Sequence, residues 1–224
     1  WYDVFLQGTI NAFNAIQRRG GPRAQGRCRL IIGPWAHGKF EALQYPPNSR
    51  QPPPAEDAFR WFDYWLKGLD TGVAQDKSVY YYVMGDPTDP EAPGNYWREA
   101  ERWPPPVRLT KAYLHDDGTL RLSPPTPADA RLAYRYDPQH PVPTLGGQNL
   151  NLPQGPMDQR EVERRDDVLV FTTPVLEEPV EVTGRLRARL FVESDCPDTD
   201  FTVKLTDVYP DGRSMLVTDG ILRT

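Results

Sequence analysis

Apolar residues along the chain follow two different rhythms. Up to about residue 75 they recur every three or four positions. Leu6, Ile10 and Phe13 keep that spacing within residues 4–19, and Gly20-Gly21 supplies a stop, which predicts a helix. The stretch RCRLII (27–32) holds Leu30, Ile31 and Ile32 and ends at Gly33-Pro34 after too few residues for a helix. It reads as a buried strand. The loop GPWAHGKF (33–40) follows, then the proline-rich connector YPPNSRQPPP (45–54). In EDAFRWFDYWLKGLD (56–70) Phe59, Phe62, Leu66 and Leu69 repeat at helical spacing, with acids at the start and Lys67-Gly68 at the end.

Beyond that point the rhythm shortens to every second residue. SVYYYVMG (78–85), VRLTKAYLH (107–115), ARLAYRYDP (130–138) and VLVFTT (168–173) are strand-like. In PVEVTGRLRARLFVES (179–194) Val180, Val182, Leu186, Ala188, Leu190 and Val192 alternate with polar residues, which predicts one oily and one wet face. DFTVKLTDVYPDGRSMLV (200–217) reads as a hairpin turning at Asp211-Gly212. Strands without helices between them predict a β-sandwich or jelly roll packed beside the first segment. The expected class is therefore α/β plus all-β, with domains at 1–75 and 76–224. The sandwich is expected to be short of strands, because the chain stops at GILRT just after another apolar patch.

Composition narrows the function classes. The 25 prolines are about twice the usual share of roughly 5 %, so many segments must be turns or edge strands. The net charge of −5 comes with no basic stripe, which argues against a nucleic-acid partner. Cys28 and Cys196 form neither a disulfide framework nor a metal-ligand spacing, and favour reducing, cytoplasmic surroundings. No apolar run reaches the ~20 residues of a membrane span. The tyrosines of SVYYYV, and Trp61 with Trp65, read as core in preference to a substrate groove. Arg185, Arg187 and Arg189 read as a solvated sheet face in preference to an anion site.

Three histidines are present. His115 and His140 sit in turn-like sequence and read as surface residues. His37 lies in a Gly/Pro-bounded loop directly after a buried strand, at the edge where open α/β sheets place their sites. A loop histidine alone is more often inert. Asp3 occupies the corresponding place one helix earlier, so adjacent parallel strands would carry both to one sheet edge. The alternative for Asp3 is a helix N-cap without any catalytic role. In an α/β-hydrolase the triad runs Ser, Asp or Glu, His along the chain, with the serine in a G-x-S-x-G elbow. Asp3 and His37 fit that order. Ser49, Ser78, Ser123, Ser194 and Ser214 all follow His37 and none stands in an elbow, so the nucleophile and at least one oxyanion donor are expected upstream. The opening WYD, with no methionine before it, suits a piece of a larger hydrolase.

WYD (1–3), LIIGPWAHG (30–38), FRWFDYWLKGLDTG (59–72), DPQHPVPTLGG (137–147), GPMDQREVERRDDVLVFTT (155–173), residues 179–194 and DTDFTVKLTDVYPDGRSMLVTDGI (198–221) together resemble the X-Pro dipeptidyl-peptidase-like and cocaine esterase family of serine acyl hydrolases. The resemblance runs over nearly the whole chain. It implies the C-terminal part of an α/β-hydrolase domain followed by a jelly-roll β-sandwich, with Asp3 and His37 as triad members. The elbow serine, the oxyanion tyrosine and the helical cap of that pattern are missing. Implied substrates are small esters or peptides, including dipeptides cleaved after proline, and no metal or organic cofactor is implied. Asp158, Gln159 and Arg160 are expected to serve packing. The competing reading makes the β-rich part a non-catalytic module for interaction or substrate binding.

Overall fold

The computed structural model describes residues 1–38, 45–51, 58–127 and 129–223. Helix α1 (Leu6–Arg19) forms where the apolar spacing places it and buries Ile10 and Phe13. Arg18 and Arg19 occupy its last turn, where cations suit the carbonyl end. Gly20 then turns the chain out of the helix, its N–H donating to Ile16 O at 2.9 Å. A Cβ there would stand 2.5 Å from the Ile16 carbonyl oxygen, so the close approach requires glycine.

The strand read in RCRLII is β1 (Leu30–Ile32). It lies parallel to β2 (Val79–Val83), which pairs antiparallel with β3 (Tyr96–Ala100), giving the order β1-β2-β3. β2 is buried on both faces. Val79 and Tyr81 join Ile10, Phe13, Leu30, Ile32 and Trp103 in one cluster, whereas Tyr82 joins Tyr2, Ala36 and Tyr45 in another. The tyrosines of SVYYYV are core, as their spacing suggested. Strand β3 was not anticipated, since YWREA carries the adjacent charges Arg98 and Glu99 and follows a Pro-Gly-Asn turn. Its entry is fixed by Asn95, at φ 60°, whose N–H donates to Val83 O at 2.8 Å.

Helix α2 (Ala58–Lys67) differs from expectation in its packing. Its apolar residues are not core: Phe59 is 82% and Leu66 78% exposed, and Trp65 lies at the surface. Glycine and proline surround the helix, and its indoles are faced by cations instead of aliphatic side chains. The Arg29 guanidinium stands 4.8 Å over Trp61 and that of Arg27 5.5 Å over Trp65. The expected acidic start, Glu56 and Asp57, lies outside the described residues, as do Lys39 and Phe40. The helix is tied down by charge. Arg60 donates through two nitrogens to Asp76 (2.7 and 3.0 Å) and through Nε to Thr71 O (2.7 Å), while Arg29 also donates to Asp76.

The chain divides into two compact units: Trp1–Pro105 with Gln148–Gly155 and Thr183–Arg185, and Pro106–Gly147 with Pro156–Val182 and Leu186–Thr224. Among its described residues the second unit holds two hairpins and one helical turn. The first hairpin is β4 (Tyr113–Leu114) with β5 (Leu120–Arg121). Helical turn α3 (Arg160–Glu163) precedes the second hairpin, β6 (Asp200–Val208) with β7 (Ser214–Arg223). Gly212 makes that turn at φ 87°, its N–H donating to Tyr209 O at 2.8 Å.

Three expected strands are corrected here. Residues 130–138 and 179–194 form no ladder, and 168–173 contribute only the isolated Thr119–Thr172 bridge. Val180, Val182, Leu186, Leu190 and Val192 are all exposed. Alternation identifies which residues share a face, but a strand also needs a neighbour whose N–H and C=O groups complete the ladder. His115 is corrected too. It is buried, and its Nε2–H donates to Ser123 O at 3.0 Å. His140 stays at the surface beside Asp137, at 2.8 Å. Arg185, Arg187 and Arg189 are exposed. The described residues form mostly small sheets with few helices, compatible with a β-sandwich C-terminal domain.

Gln159 is the polar centre of the second unit, with 1% of its surface exposed. Its Nε2 donates to Leu145 O and Met157 O at 2.9 Å each, and its Oε1 accepts from Lys204 Nζ at 2.7 Å. Burial pushes the Lys204 ammonium below its ordinary pKa. Truncating Gln159 to alanine strands these partners, and each unpaired buried group costs about 1–3 kcal/mol. Thermal unfolding of Gln159→Ala is therefore expected at a clearly lower temperature than that of the parent, and an unchanged midpoint would contradict this.

Candidate active site

The two residues singled out by sequence meet because the segments carrying them run side by side. Tyr2 and Ala36 form a parallel bridge, with Tyr2 N–H donating to Trp35 O at 2.8 Å, and both side chains are buried. The Trp1 indole N–H donates to Tyr82 O at 2.7 Å, which anchors that segment to β2. One residue beyond the bridge on each side stand Asp3 and His37. His37 Nδ1 lies 3.1 Å from Asp3 Oδ2.

Asp3 uses its second oxygen locally. Oδ1 accepts the N–H of Phe5 at 2.8 Å, and the backbone carbonyl of Asp3 accepts Leu6 N–H at 3.1 Å. This is an Asx-type turn leading into α1, and the N-cap residue, Phe5, makes no capping bond with its own side chain. The capping-like and histidine-facing readings of Asp3 thus coexist on different oxygens. The Phe5 ring stands edge-on to the imidazole, with centroids 5.2 Å apart at 76°. Sequence reasoning passed over Phe5. Its one signal was the position two residues after an aspartate at a helix start.

The carboxylate accepts only, so the hydrogen on the shared bond belongs to His37 Nδ1. That tautomer leaves Nε2 with a free lone pair, and among the described residues Nε2 has no hydrogen-bond partner. The side chains are 47% (His37) and 37% (Asp3) exposed, so the pair is open to solvent. Partial burial alone would raise the Asp3 pKa. The Phe5 N–H and the interaction with His37 outweigh it, and hold the carboxyl below its ordinary value. Asp3 is therefore ionised throughout the neutral range. In a carboxyl-detected NMR titration of this chain, Asp3 should titrate below the usual ~3.9. In His37→Ala its midpoint should move upward, and no movement would mean the imidazole contributes nothing.

None of the serine hydroxyls is bonded to His37 among the described residues. The hydroxyl of Ser214 is buried and donates to Glu163 Oε1 at 2.6 Å. Among the described residues, no three His, Cys, Asp or Glu side chains converge as metal ligands.

Comparison with known proteins now bears on this geometry. The family model for the X-Pro dipeptidyl-peptidase C-terminal non-catalytic domain matches residues 71–224. The chain belongs to this X-Pro dipeptidyl-peptidase-like family. Along its whole length it is also 37% identical, over 244 aligned residues, to the cocaine esterase of Rhodococcus sp. (strain MB1 Bresler), of which it covers 39%. A protein of Mycobacterium bovis (strain ATCC BAA-935 / AF2122/97) with a provisional serine esterase name is 28% identical over 228 residues, and the chain covers 34% of it. A protein of Mycobacterium tuberculosis (strain CDC 1551 / Oshkosh) gives the same figures. The chain thus spans about two fifths or less of the length of these relatives. Asp3 and His37 precede the family-matched residues but fall within the stretch similar to the esterases.

Proposed function

We propose that this chain supplies the acid and base of a Ser-His-Asp triad in a serine esterase, with the nucleophilic serine on a segment outside these 224 residues. One observation carries the reading: the 3.1 Å contact between His37 Nδ1 and Asp3 Oδ2 at the ends of two adjacent parallel segments. His37 takes the serine proton through Nε2 and returns it to the leaving group. Asp3 holds the tautomer and stabilises the imidazolium that forms. Residues 1–75 then belong to an α/β-hydrolase domain. Strands β2 and β3 extend the sheet of that domain, and the β-rich residues after them belong to a jelly-roll β-sandwich that makes no bond to the reacting atoms, in keeping with the non-catalytic description of the matched family. On this reading the chain alone hydrolyses nothing.

The names of the three relatives favour ester over peptide cleavage. The test is to offer the longer protein containing this chain an aryl acetate and an X-Pro dipeptide anilide. Turnover of the ester in preference to the anilide is expected, and it should disappear in His37→Ala. Preferential anilide cleavage would make the protein a peptidase, and turnover unaffected by His37→Ala would remove the site.

A further inference from the structure

We propose that the concavity between the loop after α1 and helix α2 binds a planar aromatic carboxylate. A pocket of about 230 Å³ opens there, lined by Arg23, Ala24, Arg27, Cys28, Trp61 and Trp65. None of these residues belongs to the Asp3–His37 pair, so the inference stands apart from the hydrolase reading.

The lining has two chemical characters. Two indoles, their centroids 5.8 Å apart at 56°, combine with Ala24 and the Cys28 thiol to give apolar surface. The thiol is half-buried, and burial raises its pKa, so it remains neutral and adds no competing negative charge. Against this stand two exposed guanidinium groups. Among the described residues, Arg23 and Arg27 form no ion pair, whereas Arg29 on the same stretch is committed to Asp76. Two guanidinium groups without a carboxylate partner among the described residues thus stand beside an indole pair, in a chain of net charge −5.

Charge complementarity and shape choose the occupant. Arg27 lies 5.5 Å over the Trp65 ring. A guanidinium held against an aromatic face keeps N–H donors on its edge for a carboxylate, which it can grip in bidentate fashion. A flat apolar body would lie against the indoles while its anionic end meets the arginines. An aliphatic anion would leave the indoles unused, and a neutral arene would leave the guanidinium groups unused. Typical pockets for drug-sized ligands run from roughly 300 to 1,000 Å³. This smaller volume suits one or two fused rings.

Cys28 provides the readout and Cys196, which is exposed, the internal control. The full chain is alkylated with iodoacetamide while 2-naphthoate is titrated in, and each cysteine is followed by mass spectrometry. Saturable slowing at Cys28 with no change at Cys196 is expected. The neutral analogue 2-naphthylmethanol should need about tenfold more for the same protection, and the double variant R23Q/R27Q should weaken 2-naphthoate by about tenfold or more. The indole N–H resonances of Trp61 and Trp65 give a second readout, and should shift with the same saturation curve. The proposal is overturned by any of three results: no response at either readout up to about 10 mM 2-naphthoate, equal protection by alcohol and carboxylate, or tighter protection by AMP than by 2-naphthoate.

Discussion

Asp3→Asn is expected to cut ester turnover by the longer protein by about 10⁴-fold, the scale seen when a triad aspartate is neutralised with its geometry kept. The reason lies in the tautomer. Asp3 Oδ2 accepts from His37 Nδ1, which leaves the lone pair on Nε2. An asparagine presents an N–H as readily as a C=O, so the ring can reverse its proton and offer Nδ1 as acceptor instead. It also removes the negative charge that stabilises the imidazolium. His37→Ala removes the base itself, and its loss should be larger, on the order of 10⁶. Substrate binding is not made through Asp3 in this account, so the loss should fall on kcat and leave KM little changed. A variant pair that lowers turnover by less than tenfold would show that the contact is structural only.

Asp76→Ala should strongly destabilise the first unit. Asp76 accepts from both Arg29 and Arg60, and all three side chains are largely buried. It joins the entry of β1, helix α2 and the turn before β2. Burial alone would raise its pKa, but the hydrogen bonds and charges of Arg60 and Arg29 outweigh that and hold it below the ordinary value. Removing the carboxylate strands two guanidinium groups. Loss of one partner of a fully buried pair costs about 3–5 kcal/mol, and the partial exposure here lowers the expectation to about 2–4 kcal/mol. Linkage gives the sign with pH. A carboxyl whose folded pKa is depressed contributes stability that is complete above its unfolded value near ~3.9 and is lost as pH falls through the folded value. Denaturant unfolding should therefore show the Asp76→Ala deficit in full at neutral pH and shrinking below about pH 4. A deficit constant down to pH 2 would assign the effect to packing.

What the sequence could disclose depended on whether a feature is local. The contact between Asp3 and His37 was legible, because a buried strand, its Gly-Pro stop and the helix before it are all encoded within a few residues of the pair. Parallel pairing then follows from topology. α1, β1, β2 and the hairpin of β6 and β7 were legible for the same reason. Residues 130–138 and 179–194 carry an equally good alternating pattern and make no ladder, since a ladder depends on a partner that no local pattern reports. Helix α2 shows the limit for helices: Phe59, Phe62, Leu66 and Leu69 recur at helical spacing yet are exposed, and guanidinium groups from Arg27 and Arg29 face Trp65 and Trp61. His115 looked like a turn residue from its Asp-Asp-Gly neighbours, yet Ser123 O, eight residues away, draws its ring inward. Phe5 escaped notice because a ring lying against His37 leaves no signature in spacing.

Active-site labelling tests the central claim most directly. The longer protein containing this chain is treated with a fluorophosphonate, and the modified residue is located by mass spectrometry in the parent and in His37→Ala. The account expects one labelled serine, outside residues 1–224, whose modification is lost in the variant. Equal labelling of both proteins, or modification confined to Ser49, Ser78, Ser123, Ser194 or Ser214, would contradict it.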